Sequence, residues 1–309
     1  MKLGRRGFLI GAAGVCLAQC SPSFRRARAR ALTWGGPGRR NGQFIKPRAI
    51  GVYEGETYVI DTTGRIQVFS EDGAFVRLWS VPESENGTPT SVAFDREGRV
   101  LVPDTHYHRM LRYTRQGELI DQWGEFGSGP QQFVYPTDVT ASADGTLYIS
   151  EYGTDAERIH VTDAQGRFLR QWGTFGESPG QFNRAMAIEM GADGSLYVVD
   201  TGNNRVQRFD THGNLLGVIG RPGVEPGCLK APFGLAIAAD GAVFICEYGT
   251  CRISQFSSDG AFIATLGAPG REVGQFNDPR GVAVSASGNI LVADTGNHRI
   301  QRFGMGDLG

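Results

Sequence analysis

The sequence predicts an all-β chain folded as a six-bladed β-propeller, with its N-terminal strand completing the last blade. Three observations carry this expectation. An arginine recurs at Arg65, Arg109, Arg158, Arg205, Arg252 and Arg299, at separations of 44, 49, 47, 47 and 47 residues, a period characteristic of repeat architectures. Each arginine follows an acid that closes an apolar run: Asp61, Asp104, Glu151, Asp200, Glu247 and Asp294. Each unit then divides into four short strands separated by turn residues, the pattern of one propeller blade.

Residues 1–20 are a targeting segment and stand outside the fold. Arg5-Arg6 is followed by a short apolar run to Ala18, which resembles a twin-arginine export signal. That run is about half of the ~20 residues a membrane-spanning helix needs. Leu17-Ala18-Gln19-Cys20 resembles a bacterial lipobox, although Gln19 replaces the usual small residue. The resemblance implies lipidation at Cys20 and a protein exported to the periplasmic or cell-envelope face, held to a membrane by its lipid. Residues 21–30 form a basic tether, able to lie against anionic headgroups.

The propeller is expected over 31–304, with 305–309 a short tail. Its composition suits that fold: 45 glycines supply turns, and 20% charged residues leave ample core. Residues 1–30 hold seven basic side chains and no acid, so the remainder carries 24 basic against 32 acidic residues, a net charge of −8. An acidic body argues against a phosphate-tracking surface, and no nucleic-acid partner is expected.

The last unit shows the element order. After Asp278-Pro279, RGVAVSA is an alternating first strand, Ser287-Gly288-Asn289 turns, ILVAD is a second strand, TGNH a loop and RIQRF a third strand. Earlier units add a fourth, such as FLRQW or FIATL. The last unit stops one strand short at Phe303, whereas ALTWGG near the N-terminus reads like the fourth strand LRQWGT. Residues 31–35 should therefore close the ring, which removes exposed sheet edges.

GQFNDPRGVAV and GNILVADTGNHRIQRF, with siblings GQFIKP, QQFVYP and GQFNRA, resemble the NHL-repeat family from about Ala31 to Gly304. The resemblance implies the six-bladed fold. It leaves function open, because members include scaffolds, RNA binders, sensor domains and a lyase. That lyase, which amidates peptides, places zinc-binding histidines around its channel, one beside a first-strand proline. Here the corresponding motifs PRAI, PTSV, PTDV, RAMA, PFGL and PRGV contain no histidine.

The acid ends the second strand and the arginine begins the third, so each pair flanks one loop and should fasten its blade. The alternative is a ring of six carboxylates gathering calcium, but a matching cation accompanies every acid. The loops between second and third strands and the Gly-rich loops between blades should share one face, where binding residues concentrate.

Several residues on that face are candidates. Arg48 and Arg280 follow equivalent prolines in blades that adjoin on closure, and two guanidinium groups there can hold an anionic group. Tyr152 and Tyr248, which follow the acids of the third and fifth units, are further ligand-contacting candidates. His106, His108 and His298, with Asp104, are the alternative catalytic or zinc-binding set. Cys246 and Cys251 lie close enough along the hairpin for a disulfide, with free thiols preferred, and Cys228 has no evident partner. The expected function is therefore a monomeric binding or scaffold module for an envelope protein, peptide or glycan. A metal-dependent hydrolase or lyase at the channel mouth is the alternative, and no cofactor is expected beyond the zinc or calcium that alternative would use.

Overall fold

A computed structural model describes residues 31–153 and 156–304. The signal segment, the basic tether, Cys20 and the C-terminal tail lie outside the described residues. Six four-stranded antiparallel sheets are arranged around a central channel. The innermost strands are Pro47–Tyr53, Ala93–Phe94, Tyr135–Ala141, Ala185–Met190, Pro232–Ile237 and Gly281–Val284. The chain is thus a six-bladed β-propeller.

Strand Leu32–Gly35 pairs antiparallel with Arg299–Gly304, placing Trp34 opposite Ile300. The sixth blade is consequently built from both ends of the described chain. Non-covalent closure needs more than one sheet ladder, and a tryptophan supplies part of it. Trp34 packs so closely on Gly73, in a turn of the first blade, that a Cβ there would lie 2.8 Å from the indole. The contact repeats around the ring, with Trp79 on Gly117, Trp123 on Gly166 and Trp172 on Gly213. Each of these glycines also has positive φ, which suits a residue without a Cβ.

The core is a series of clusters lying between successive blades. Ile60, Val68 and Val81 of the first blade, for example, pack with Val100, Val102 and Leu111 of the second. Along the second strands, residues on both faces are buried, as in Leu196–Asp200, because each sheet is sandwiched between two others. The outer strands are amphipathic instead, with alternating burial in Phe168–Trp172 and Phe75–Ser80.

Close approach of the innermost strands sets the width of the channel. A Cβ on Gly234 would stand 2.5 Å from the carbonyl oxygen of Arg280 in the next blade. Small residues at this bore position, including Ala49, Ala187 and Gly281, let six strand starts converge without filling the opening.

The Gly-rich inter-blade loops are more regular than their composition suggests. In five of the six junctions the loop folds back on itself through a parallel bridge: Pro37 with Phe44, Phe126 with Phe133, Phe175 with Phe182, Pro222 with Leu229 and Pro269 with Phe276.

Candidate functional site

Each acid meets its arginine across the loop between the second and third strands. The distances are 2.6 Å for Asp61–Arg65, 2.9 Å for Asp104–Arg109, 2.5 Å for Glu151–Arg158, 2.8 Å for Asp200–Arg205, 2.9 Å for Glu247–Arg252 and 2.7 Å for Asp294–Arg299. The pairs do more than close a hairpin. Arg205 also donates to the carbonyls of Ser178 and Gln181, at 2.9 and 3.0 Å, in the preceding inter-blade loop. Asp200 in turn accepts the N–H of Asn183 at 2.7 Å.

Arg65, Arg158, Arg252 and Arg299 repeat these loop contacts. Asp61, Glu151, Glu247 and Asp294 likewise each accept a loop N–H. The pair therefore staples loop to blade, and its donors and acceptors are consumed in doing so.

The second blade is the exception. Arg109 turns to Glu83 at 3.0 Å instead of a loop carbonyl, and one oxygen of Asp104 has no hydrogen-bond partner. Burial accordingly pushes the Asp104 carboxyl up to about 6, against the opposing pull of Arg109.

His106 and His108 meet on one tyrosine ring, but among the described residues no third metal-ligating side chain joins them. His108 and His298 share a left-handed backbone, with φ of 56° and 57°, and so do Asn204 and Cys251 at the same repeat position. Asn and His tolerate that conformation better than most side chains, so the choice of residue serves the turn. His298 Nδ1 accepts the N–H of Lys46 at 3.1 Å, joining the sixth blade to the first. His106 and His108 both pack against the ring of Tyr135. Burial lowers the pKa of both, assisted at His106 by the Arg48 cation and at His108 by His106. Among the described residues, no three His, Cys, Asp or Glu side chains gather as a metal site.

The three cysteines of the propeller are free. Cys228 and Cys246 are buried, whereas Cys251 is half-buried. Desolvation raises the Cys246 thiol well above its ordinary value, aided by Glu247 and other neighbouring charges.

The arginines at the mouth do come together. Arg48 is half-buried with Arg280 beside it, and desolvation followed by that like charge lowers its guanidinium pKa. Arg280 lies over Phe233 at 5.0 Å and Tyr248 at 5.2 Å, with Asp278 3.3 Å away. No hydrogen bond or ion pair ties down the Arg48 guanidinium among the described residues. Tyr152 stacks on Tyr135 with ring centres 5.2 Å apart, and Arg184 covers Tyr152 at 5.4 Å. His108 and the exposed Phe126 extend this aromatic line outward. The mouth is therefore a cationic opening bordered by aromatic faces.

Below it the channel changes character. A constriction lined by Arg48, Arg280, Ser91, Asp138, Met186 and Phe233 leads to a chamber of about 310 Å3 bordered by Tyr53, Phe94, Asp138, Thr140 and Glu189. The chamber continues past Glu189 to a wider opening on the hairpin-turn face. Asp138 accepts hydrogen bonds from Ser91 Oγ, Val139 N at 2.8 Å and Ile188 N at 2.9 Å. Burial nevertheless raises its carboxyl to about 6, and Glu189 rises to about 8 through burial and the Asp138 charge.

Neither carboxyl was among the sequence candidates. The available signal was repeat register: siblings of Asp138 are Ala49, Ser91, Ala187, Gly234 and Gly281, and siblings of Glu189 are Gly51, Ala93, Thr140, Ala236 and Ala283. One acid in a column of small residues marks a position released from the packing rule.

Comparison with known proteins supports the repeat reading. Residues 276–303 match the NHL repeat. This NHL unit spans the Asp294–Arg299 staple. No curated protein sequence matches the chain.

Solved structures similar to the chain include a streptogramin B lyase, with TM-score 0.64 and 14% identity, covering 92% of this chain and 99% of that one. A virginiamycin B lyase from Staphylococcus aureus has TM-score 0.62 at 16% identity, covering 89% and 99%. A gluconolactonase from Xanthomonas campestris has TM-score 0.62 at 14% identity, covering 87% and 88%. At such identities the likeness is one of fold.

Proposed function

We propose that the NHL-type propeller is a binding module whose loop-rich face takes the anionic groups of an envelope protein, peptide or glycan. The observation that carries this is Arg48. Its half-buried guanidinium faces the mouth without an ion-pair partner, beside a second arginine. A ligand carboxylate would relieve that repulsion and accept a bidentate hydrogen bond. Tyr248 and Phe126, both exposed, offer apolar surface for the remainder of the ligand, beside Tyr152, which Tyr135 and Arg184 already engage. Export through the twin-arginine-like segment and anchoring through Cys20 would place this face in the envelope, with the protein acting as a monomer.

The hydrolase or lyase alternative would draw on Asp104, His106, His108 and His298. Asp104 is paired with Arg109, and His298 with the backbone of Lys46. Two of its four members are therefore engaged in structural contacts. The named activities of the similar structures belong to those proteins.

Retention of the purified propeller on polygalacturonate, polyglutamate and neutral dextran tests the binding reading. Salt-sensitive retention on an anionic polymer is expected, with loss in the Arg48→Ala/Arg280→Ala double variant. Equal retention of dextran, or retention unchanged by the double substitution, would refute it.

A further inference from the structure

The chamber beneath the mouth presents a separate electrostatic problem. Asp138 and Glu189 stand on innermost strands of adjacent blades and border one cavity of about 310 Å3. Both keep some accessible surface, but that surface is channel surface, enclosed by blades. Asp138 is held by Ser91 and two backbone N–H groups. Glu189 has no side-chain hydrogen-bond partner or ion pair among the described residues, and it feels the Asp138 charge.

Other charged groups near the chamber are engaged or lie toward its ends. Asp95 is paired with Arg99 at 2.7 Å, Arg48 and Arg280 stand at the constriction, and Asp240 borders the outer opening and accepts the N–H of Ala242. The rest of the wall is largely aliphatic and aromatic, with Tyr53 and Phe94 stacked at 5.0 Å.

We propose that this chamber binds a small organic ammonium ion with an apolar body, its charged head between Asp138 and Glu189 and its body along Tyr53 and Phe94. Two neighbouring carboxyls bordering one cavity walled by blades need a proton or a cation between them. An ammonium head supplies the charge and up to three N–H donors, and the Tyr53–Phe94 wall offers apolar surface to the body of the ligand, with Arg115 already placed over Tyr53 at 5.6 Å and paired with Glu54. A hard divalent ion fits less well, because calcium takes about six to eight oxygen ligands and no third His, Cys, Asp or Glu joins this pair among the described residues. A volume of about 310 Å3 falls within the usual range for a small-molecule pocket. Entry is from the hairpin-turn face, through the opening that Glu189 borders.

Occupancy displaces the proton held by Glu189, so affinity should rise with pH. Isothermal titration with phenethylammonium chloride at pH 6, 7 and 8 reads this directly, with the neutral isostere 2-phenylethanol and calcium chloride as comparison arms. The expected result is saturable one-to-one binding of the amine, strengthening by up to about tenfold per pH unit as one proton is released. Circular dichroism establishes that Glu189→Gln and Asp138→Asn remain folded, and each should lose binding at least tenfold. Arg48→Ala/Arg280→Ala should keep it, which separates this chamber from the mouth. No amine binding at pH 8, equal binding of the alcohol, tighter binding of calcium than of the amine, or unchanged binding in folded Glu189→Gln overturns the proposal.

Discussion

Arg299 reaches Asp294 at 2.7 Å and, from the same guanidinium, the carbonyls of Glu272 and Gln275, 27 and 24 residues earlier. One side chain thereby holds the second strand, the third strand and the incoming loop of its blade. The staple leaves a fully buried carboxylate behind when its cation is removed. Arg299→Ala should therefore cost about 3 to 5 kcal/mol, the range for breaking a buried pair, read as a shift in the urea-unfolding free energy. Arg299→Lys should recover little, since an ammonium cannot serve three acceptors in the guanidinium geometry. Arg109→Ala loses no loop carbonyl contact but leaves Asp104, equally buried, without its one hydrogen-bond donor, so its cost should fall in the same range.

Ring closure makes a second prediction. Gly73 has φ of 82° and lies under the Trp34 indole. Gly73→Ala should destabilise by more than about 1 kcal/mol, combining backbone strain with a displaced tryptophan. Thermal unfolding followed by tryptophan fluorescence reads it, and a melting temperature unchanged from wild type would show that the Trp34 contact does not help close the ring.

The channel pair imposes a pH dependence on stability. Glu189 moves from an ordinary 4.5 to about 8 on folding, so the folded state binds its proton more tightly. That contribution is fully present below pH 4.5 and is lost as pH rises through 8. Urea midpoints should fall between pH 5 and pH 9 in the wild type, and the fall should shrink in Glu189→Gln.

Arg48→Ala should be close to neutral or stabilising. Its guanidinium is partly desolvated beside Arg280 and makes no compensating ion pair, so the substitution removes repulsion with little loss. A destabilisation above about 1 kcal/mol at neutral pH would mean that the mouth arginine is structural, contrary to its role as a ligand contact.

Cysteine accessibility gives a quick check of the fifth blade. Native protein should react with a thiol reagent at half-buried Cys251 well before buried Cys246. Mass spectrometry of the labelled peptides reads the order, and Cys246 reacting first would contradict the packing described.

The repeat carried most of the fold. Acid, arginine and turn glycines at near-constant spacing specify local hairpins, and six copies with a displaced last strand imply a closed ring. These are short-range properties, so they can be read from neighbouring letters. Whether Arg48 meets Arg280, and that His298 serves the backbone of Lys46 across the closure, depended on bringing together residues more than two hundred positions apart.

The Asp138–Glu189 chamber depended on closure still more. Each acid occupies an ordinary strand position until six blades converge and remove the water around it. The blade is legible in neighbouring letters, whereas the channel arises on ring closure, because desolvation and like-charge proximity exist there and nowhere along the chain.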